Sequence, residues 1–404
     1  MNFARSMMPV RRLGMLAGFL CLITAWAAFA PPAAAIEVVA RQAILVDMTT
    51  GAVLFEKNAD EPAPPASMSK LMTAYLVFER LRDGRLSLDD TFLVSETAWR
   101  KGGAKSGSST MFLDPGKRVR VEDLLQGIIV QSGNDACIVI AEALAGSEQA
   151  FAEEMTRRGE QMGLQNSVFR NATGWPDPGH VMSVRDLAIL ARRTIEDFPE
   201  FYHYYSERNF TYNGIRQINR NPLLYKDMGA DGLKTGHTVK SGYGLAGTVK
   251  RGDRRLILVV NGLPTKKARS REPKRLLEWG FREFQNYTLF KAGDRVADAD
   301  VWLGKDATVP LVIDKDLMIT LARKARPKMK VKAVFEGPIP APVAMGTEVA
   351  RLVVTVPGEG GEETVQVPLV AGAEVERKGL LGRLGAALKY ILWGGAVTGQ
   401  TAAR

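Results

Sequence analysis

The hydrophobic pattern is strand-like near both ends of the first 290 residues and helical between them. Ala43-Ile44-Leu45-Val46 and Ala52-Val53-Leu54-Phe55 flank the turn Thr49-Thr50-Gly51, which predicts a hairpin over 41–57. A second hairpin is predicted over 243–262, with Tyr243 to Lys250 and Leu256 to Val260 around Arg251-Gly252-Asp253. Pro62, Pro64 and Pro65 interrupt the chain after the first hairpin. A helix then runs from about Ser67 to Arg82, with Leu71, Ala74, Tyr75 and Phe78 on one side. Residues 121–145 form a largely apolar helical region broken near Ser132-Gly133-Asn134, and 147–162, 183–195 and Arg271–Gln285 also carry a helical period. Strands at both ends with helices between them predict an α+β domain whose sheet is closed by its two termini.

After about Tyr287 the pattern changes. Short β-like runs at 308–313, 331–335, 349–356 and 364–370 are separated by Gly- and Pro-rich turns, which predicts a small all-β domain over 288–376. At 377–393 the pattern turns helical again: Leu380, Leu381, Leu384, Ala387, Leu388, Ile391 and Leu392 share one face, and Lys378, Arg383 and Lys389 lie off it. This segment is too short and too charged to span a bilayer comfortably, but it suits the headgroup layer, where Tyr390 and Trp393 also fit. A helix docked on the body would show the same period. We expect residues 377–404 to be a membrane-surface helix and tail.

The N-terminus adds a compartment. Arg5, Arg11 and Arg12 precede an apolar run from Leu13 to Ala30, and Ala33-Ala34-Ala35 supplies small residues for cleavage. Residues 1–35 are therefore expected to be a secretory signal peptide, although a run this long could also be retained as an anchor. The full chain has 54 Lys+Arg and 44 Asp+Glu, a net charge of +10; residues 1–35 hold three positive charges and no negative ones, so their removal leaves +7. A basic chain is a generic nucleic-acid signal. Export argues against that partner. Two cysteines exclude a disulfide scaffold, and Cys137, between Ala136 and Ile138, is expected to be buried packing. Three histidines leave little room for a His-rich metal cage.

Three short motifs carry candidate chemistry. Ser67-Met68-Ser69-Lys70 puts a hydroxyl and an amine three residues apart on one helix face. A serine hydroxyl becomes a nucleophile only when a base takes its proton, and lysine is such a base only if burial or a nearby cation lowers its pKa from about 10.4. Alone the motif is weak, since roughly one chance match is expected in a chain of this length, and a serine at a helix start is commonly a cap. Ser132-Gly133-Asn134 offers a second hydroxyl and an amide, or simply a turn. Lys234-Thr235-Gly236 could address a carboxylate from a strand that also pairs with an extended peptide, with Gly236 admitting a close approach.

In this order the three motifs are those of penicillin-binding proteins and class A β-lactamases. The chain resembles the low-molecular-mass penicillin-binding proteins, the serine D-alanyl-D-alanine carboxypeptidases. The likeness extends through Pro65 to Thr73, Ser132 to Cys137 and Asp231 to Thr238, and through Phe169-Arg170-Asn171-Ala172-Thr173-Gly174 and Ser183 to Ala188. It covers about residues 36–395. It implies a penicillin-binding/β-lactamase-like catalytic domain over 36–287, an antiparallel sheet with helices, followed by the small β domain and the amphipathic helix.

By the resemblance, Ser67 forms an acyl-enzyme, Lys70 is its general base and Ser132 takes part in proton transfer. Asn134 binds the acyl-side amide, and Lys234, Thr235, Gly236 and His237 belong to the substrate side, with backbone N–H groups of Ser67 and of a residue near His237 as the oxyanion hole. Arg269, and less specifically Arg220, are candidate cations for the substrate carboxylate. The family often has His-Tyr-Ser-Thr where this chain has His180-Val181-Met182-Ser183, so no role is carried to His180. No Glu-x-x-Leu-Asn occurs, so fast β-lactam hydrolysis is not expected. No Gly-x-Ser-x-Gly and no His-Glu-x-x-His occurs either, which removes support for a Ser-His-Asp hydrolase and a zinc peptidase. The expected activity is removal of the terminal D-alanine from peptidoglycan pentapeptide stems, with β-lactams as mimics, without cofactor or metal, at the outer face of the cytoplasmic membrane. The alternative is a D,D-endopeptidase that cuts crosslinks; the second domain and the terminal helix favour the carboxypeptidase.

Overall fold

The computed structural model describes residues 36–358 and 361–385; the expected signal peptide and most of the expected terminal helix lie outside them. The first hairpin forms β1 (Gln42–Asp47) and β2 (Val53–Lys57). The chain leaves the sheet at the prolines and returns as β3 (Ala230–Thr238), β4 (Gly242–Arg251) and β5 (Arg254–Leu263). The order across the sheet is β2-β1-β5-β4-β3, every pair antiparallel, with Ile44 opposite Val259 where early and late chain meet. Both predicted hairpins are present. The strand β3 continues the second one on its outer side, and its buried run Leu233–Gly236 hides the alternation by which a strand is usually recognised.

Helix α1 (Lys70–Arg82) runs through the middle of the domain. Every residue from Lys70 to Phe78 is buried, so the stripe Leu71, Ala74, Tyr75 and Phe78 is only part of its packed surface. The apolar region 121–145 resolves into a helix Val121–Gln126, a wide turn Gly127–Gln131 and helix α2 (Asn134–Ala145), with Ser132 between them at φ +68°. Helices α3 (Glu148–Gln161) and α4 (Val184–Asp197) begin where Ser147 and Ser183 accept the N–H groups of Ala150 and Asp186. Helix α5 (Lys266–Glu283) starts earlier than its apolar pattern suggests, because the Thr265 hydroxyl caps Ala268 N–H at 3.0 Å.

The strand Phe284–Phe290 leaves α5 directly and pairs with Leu317–Ala322, so it straddles the change in composition at Tyr287. A six-stranded sheet follows, in the order 330–334, 348–358, 361–371, 308–312, 295–302 and 339–340. Its apolar cluster, Ala299 to Val375, is separate from the cluster of Ile44 to Val259 that fills the first part. Asp47, fully buried, joins the two by accepting Arg254 Nε at 2.7 Å and Asn286 Nδ2 at 3.3 Å, and Arg254 also donates to the Phe284 carbonyl at 2.7 Å.

Candidate active site

Ser67 sits in a tight turn, Ala66–Ser69, that leads directly into α1. Ala66 has φ +50°, a conformation uncommon for residues other than glycine. The turn is pressed against β3 and β4. A Cβ on Gly236 would lie 2.8 Å from the Pro65 carbonyl oxygen and 3.1 Å from Ala66 Cβ, and one on Gly244 would lie 2.5 Å from Met68 Cε. The room that Gly236 leaves is therefore filled by the serine-bearing turn itself, where the sequence had suggested room for a substrate.

Lys70, one helical turn along, is almost completely buried. Its Nζ donates to Ser67 Oγ at 3.1 Å, to Asn134 Oδ1 at 2.7 Å and to the Thr173 carbonyl oxygen. Three acceptors aim the amine, and one of them is the candidate nucleophile. Burial pushes the Lys70 amine down to about 8 and the Arg220 cation pushes the same way, while Asp135 and Glu148 oppose them.

The second motif is shaped by Asp135, whose buried carboxylate accepts Thr110 Oγ1 at 2.6 Å, Met111 N at 3.0 Å, Leu113 N at 3.1 Å and Ala136 N at 3.0 Å. It ties segment 110–113 to the start of α2 and so holds Asn134, whose own N–H reaches the Ser109 carbonyl at 2.7 Å. Ser132 Oγ is buried, with no hydrogen bond among the described residues. Asn134 turns its Oδ1 to Lys70 and lines the cleft beside Ser67 and Ser132.

Strand β3 is the outermost strand of its sheet, so one side of its backbone faces away from β4. Lys234 and Thr235 are buried on it. Burial, reinforced by the cations Lys70, Arg220 and Arg269, holds the Lys234 amine well below its ordinary value. Arg269 reaches over from α5, donates to the Gly236 carbonyl at 3.3 Å and lies 5.2 Å from the centre of the Tyr243 ring. Its Nε is buried without a partner among the described residues. Arg220 donates to Ser109 Oγ at 2.5 Å. His237 is exposed and packs on Tyr243, with ring centres 4.0 Å apart. A cavity of about 1100 Å³ is lined by Ser67, Ser132, Asn134, Thr235, Gly236, His237, Arg220 and Arg269. Lys70 and Lys234 do not line it; Lys70 is linked to it by the bond to Ser67.

Sequence reasoning gave no role to Thr173, Asn171 or Asp135. Thr173 acts through a backbone carbonyl, which residue type does not reveal, and Asn171-Ala172-Thr173-Gly174 stood only as part of a resemblance. Cys137 is buried, and burial pushes its thiol up to about 12, which suits packing. His180 is also buried and pushed down to about 4; its Nδ1 accepts Arg170 N–H at 3.2 Å.

Comparison with known proteins places the chain in a family. Residues 27–265 match the D-alanyl-D-alanine carboxypeptidase family, and residues 284–377 match the C-terminal domain of penicillin-binding protein 5. The D-alanyl-D-alanine carboxypeptidase DacC of Escherichia coli K12 is 39% identical over 366 residues, 88% of this chain and 91% of that protein. Penicillin-binding protein 5 from Haemophilus influenzae superposes with a TM-score of 0.74 at 36% identity, covering 85% of this chain and 99% of that one. Penicillin-binding protein D2 from Listeria monocytogenes, solved with ampicillin bound, gives 0.53 at 31% identity over 61% of this chain and 99% of its own. The chain belongs to the D-alanyl-D-alanine carboxypeptidase family. Its reaction is that of a serine carboxypeptidase, hydrolysis at a D-alanyl-D-alanine terminus.

Proposed function

We propose that Ser67 is the nucleophile and Lys70 the general base of this reaction, and that the substrate is the pentapeptide stem of peptidoglycan. The observation that carries this reading is the buried Lys70 amine 3.1 Å from Ser67 Oγ, with its pKa pushed down to about 8. The neutral amine takes the hydroxyl proton as Ser67 Oγ attacks the carbonyl carbon of the penultimate D-alanine. The N–H groups of Ser67 and of the β3 backbone at His237 receive the oxyanion. The C–N bond then breaks, the leaving D-alanine takes a proton relayed through Lys70 and Ser132, and water hydrolyses the ester.

Arg269 and Arg220 offer cations, and Lys234 and Thr235 offer hydrogen-bond donors, to the terminal carboxylate. The free side of β3 pairs with the peptide as an added strand, and Asn134 holds the acyl-side amide. A β-lactam, which also presents a carboxylate next to a strained amide, acylates Ser67 in the same way. The ampicillin-bound relative supports this.

We further propose that residues 1–35 direct export and are removed, leaving a catalytic domain and a β-rich domain in the periplasm. The segment from 377 would attach them to the membrane surface. The described start of that segment supports this: Leu380, Leu381 and Leu384 are 69%, 84% and 62% exposed, so these side chains do not pack on the body. No helix among the described residues is long and apolar enough to cross a membrane. The test of the catalytic reading is release of D-alanine from a peptide ending in D-Ala-D-Ala by wild type and by Ser67→Ala. Release by wild type alone is expected, and equal release by both would overturn it.

A further inference from the structure

The Lys70 amine has three acceptors, and the third is the only one of the three supplied by a main-chain atom. The Thr173 carbonyl belongs to the turn 171–174, and that turn is organised by one side chain. Asn171, 9% exposed, accepts the N–H of Thr173 at 3.2 Å, the hydroxyl of Thr173 at 3.0 Å and the N–H of Gly174 at 2.8 Å, all on Oδ1. Its Nδ2 donates to the Trp175 carbonyl at 3.0 Å. One amide thus ties down three successive residues, 173–175, in the manner of an Asx turn.

This turn is packed against the nucleophile and the base together. Gly174 has φ +73°, and a Cβ there would lie 2.0 Å from the Ala66 carbonyl oxygen and 2.5 Å from Ser69 Oγ. Ala172 is clamped from two sides, its carbonyl accepting Thr73 Oγ1 at 2.7 Å and its N–H donating to Glu148 Oε1 at 3.3 Å. The chain between these anchors carries the carbonyl that faces Lys70. If the turn relaxes, Lys70 loses one of the three contacts that aim its amine at Ser67.

We propose that Asn171 is a positioning residue for Lys70: by ordering the turn 171–174 it holds the Thr173 carbonyl against the amine and keeps that amine aimed at Ser67. The proposal rests on the reading of Lys70 as the base for Ser67. The charged or titratable groups around Lys70 are Asp135 and Cys137 on α2, Glu148 on α3, Arg220, Lys234 on β3 and His180; burial keeps the thiol and the imidazole neutral near pH 8.

The test measures the acylation rate constant at saturating penicillin, and its pH profile, for wild type, Asn171→Ala, Asn171→Asp and Ser67→Ala. Rates are normalised to the folded fraction. Asn171→Ala removes the acceptor shared by Thr173 and Gly174 and leaves only the Thr173 hydroxyl, which accepts Trp175 N–H at 3.0 Å; acylation should slow by about 10-fold or more with the affinity of the first, non-covalent complex little changed. Asn171→Asp keeps the acceptor for Thr173 and Gly174, loses the donor to the Trp175 carbonyl, and adds a negative charge near the amine. It should acylate at a near-normal plateau, with the pH midpoint raised by about one unit. A structural role alone would lower the folded fraction of both variants and leave rate per folded molecule and midpoint at wild-type values, which would overturn the proposal. Acylation of Ser67→Ala would instead overturn the underlying site reading, so the two failures are distinct.

Discussion

Lys70 Nζ stands 3.1 Å from Ser67 Oγ at the start of a helix whose first nine residues are all buried. The spacing of three residues brings the groups together, and the burial changes what the amine is. A solvated lysine is charged at neutral pH and cannot take a proton. Here burial moves it down to about 8. The protonated, inactive form therefore dominates below that value and the neutral form above it. Acylation by a neutral β-lactam analogue should rise tenfold per pH unit below about 8 and level off above it. Stopped-flow acylation from pH 6 to pH 10 checks this, and a rate independent of pH over that range would contradict it.

Replacing Lys70 with a side chain that stays protonated tests its role as the base. In Lys70→Arg the guanidinium stays protonated across the accessible range, so no base is available. Acylation should fall by about 10²- to 10⁴-fold. Near-normal acylation of a folded Lys70→Arg protein would assign the base elsewhere.

Gly236 tests the packing of the serine turn. The Cβ added in Gly236→Ala meets backbone and Cβ atoms of Pro65 and Ala66, which cannot swing aside as the end of a flexible side chain can. The turn must move, and misplacement of a reacting group by about 1 Å costs on the order of 10²-fold in rate. The loss should appear in the acylation rate and exceed what a stability change of about 1–3 kcal/mol would remove through unfolding. Acylation at the wild-type rate would mean the turn does not depend on this contact.

Much of this was legible in the sequence. The three motifs name Ser67, Lys70, Ser132, Asn134 and Lys234, and both hairpins are visible because their strands alternate or carry clear turns. Strand β3 is less visible because its run Leu233–Gly236 buries Lys234 and Thr235 beside Leu233, so polar and apolar residues do not alternate with exposure. The one-sided stripe on α1 was misleading for a related reason: a helix surrounded by protein has no side to leave polar. The roles of Thr173 and Asp135 were hidden for another reason. A backbone carbonyl leaves no mark on residue type, and a carboxylate that ties down segment 110–113 looks in sequence like any acid at a helix start.

The carboxylate-binding groups predict a selective loss. Arg269→Ala removes a charge-assisted partner of about 1.5–3 kcal/mol, so kcat/KM for a peptide with a free terminal carboxylate should fall by about 10- to 100-fold. The same peptide carrying a C-terminal amide should be nearly indifferent to the substitution. Equal losses on both substrates would show that Arg269 supports the fold around Tyr243 and Gly236 without recognising the carboxylate.

The exposed leucines at the start of the terminal segment predict separable attachment. A protein ending at Lys378 keeps the backbone contacts of Arg377 and Lys378 with Gly304 and Leu303. It should retain activity on soluble peptide and no longer sediment with anionic vesicles. Continued sedimentation would place the attachment elsewhere.

Ser67 is expected to become covalently acylated, with Lys70 as the base. Peptide mass analysis of the penicillin-treated protein tests it most directly. One penicilloyl adduct is expected on the peptide containing Ser67, absent in Ser67→Ala and formed far more slowly in Lys70→Arg. An adduct on any other residue of the wild-type protein, or D-alanine release by a protein that never forms one, would contradict it.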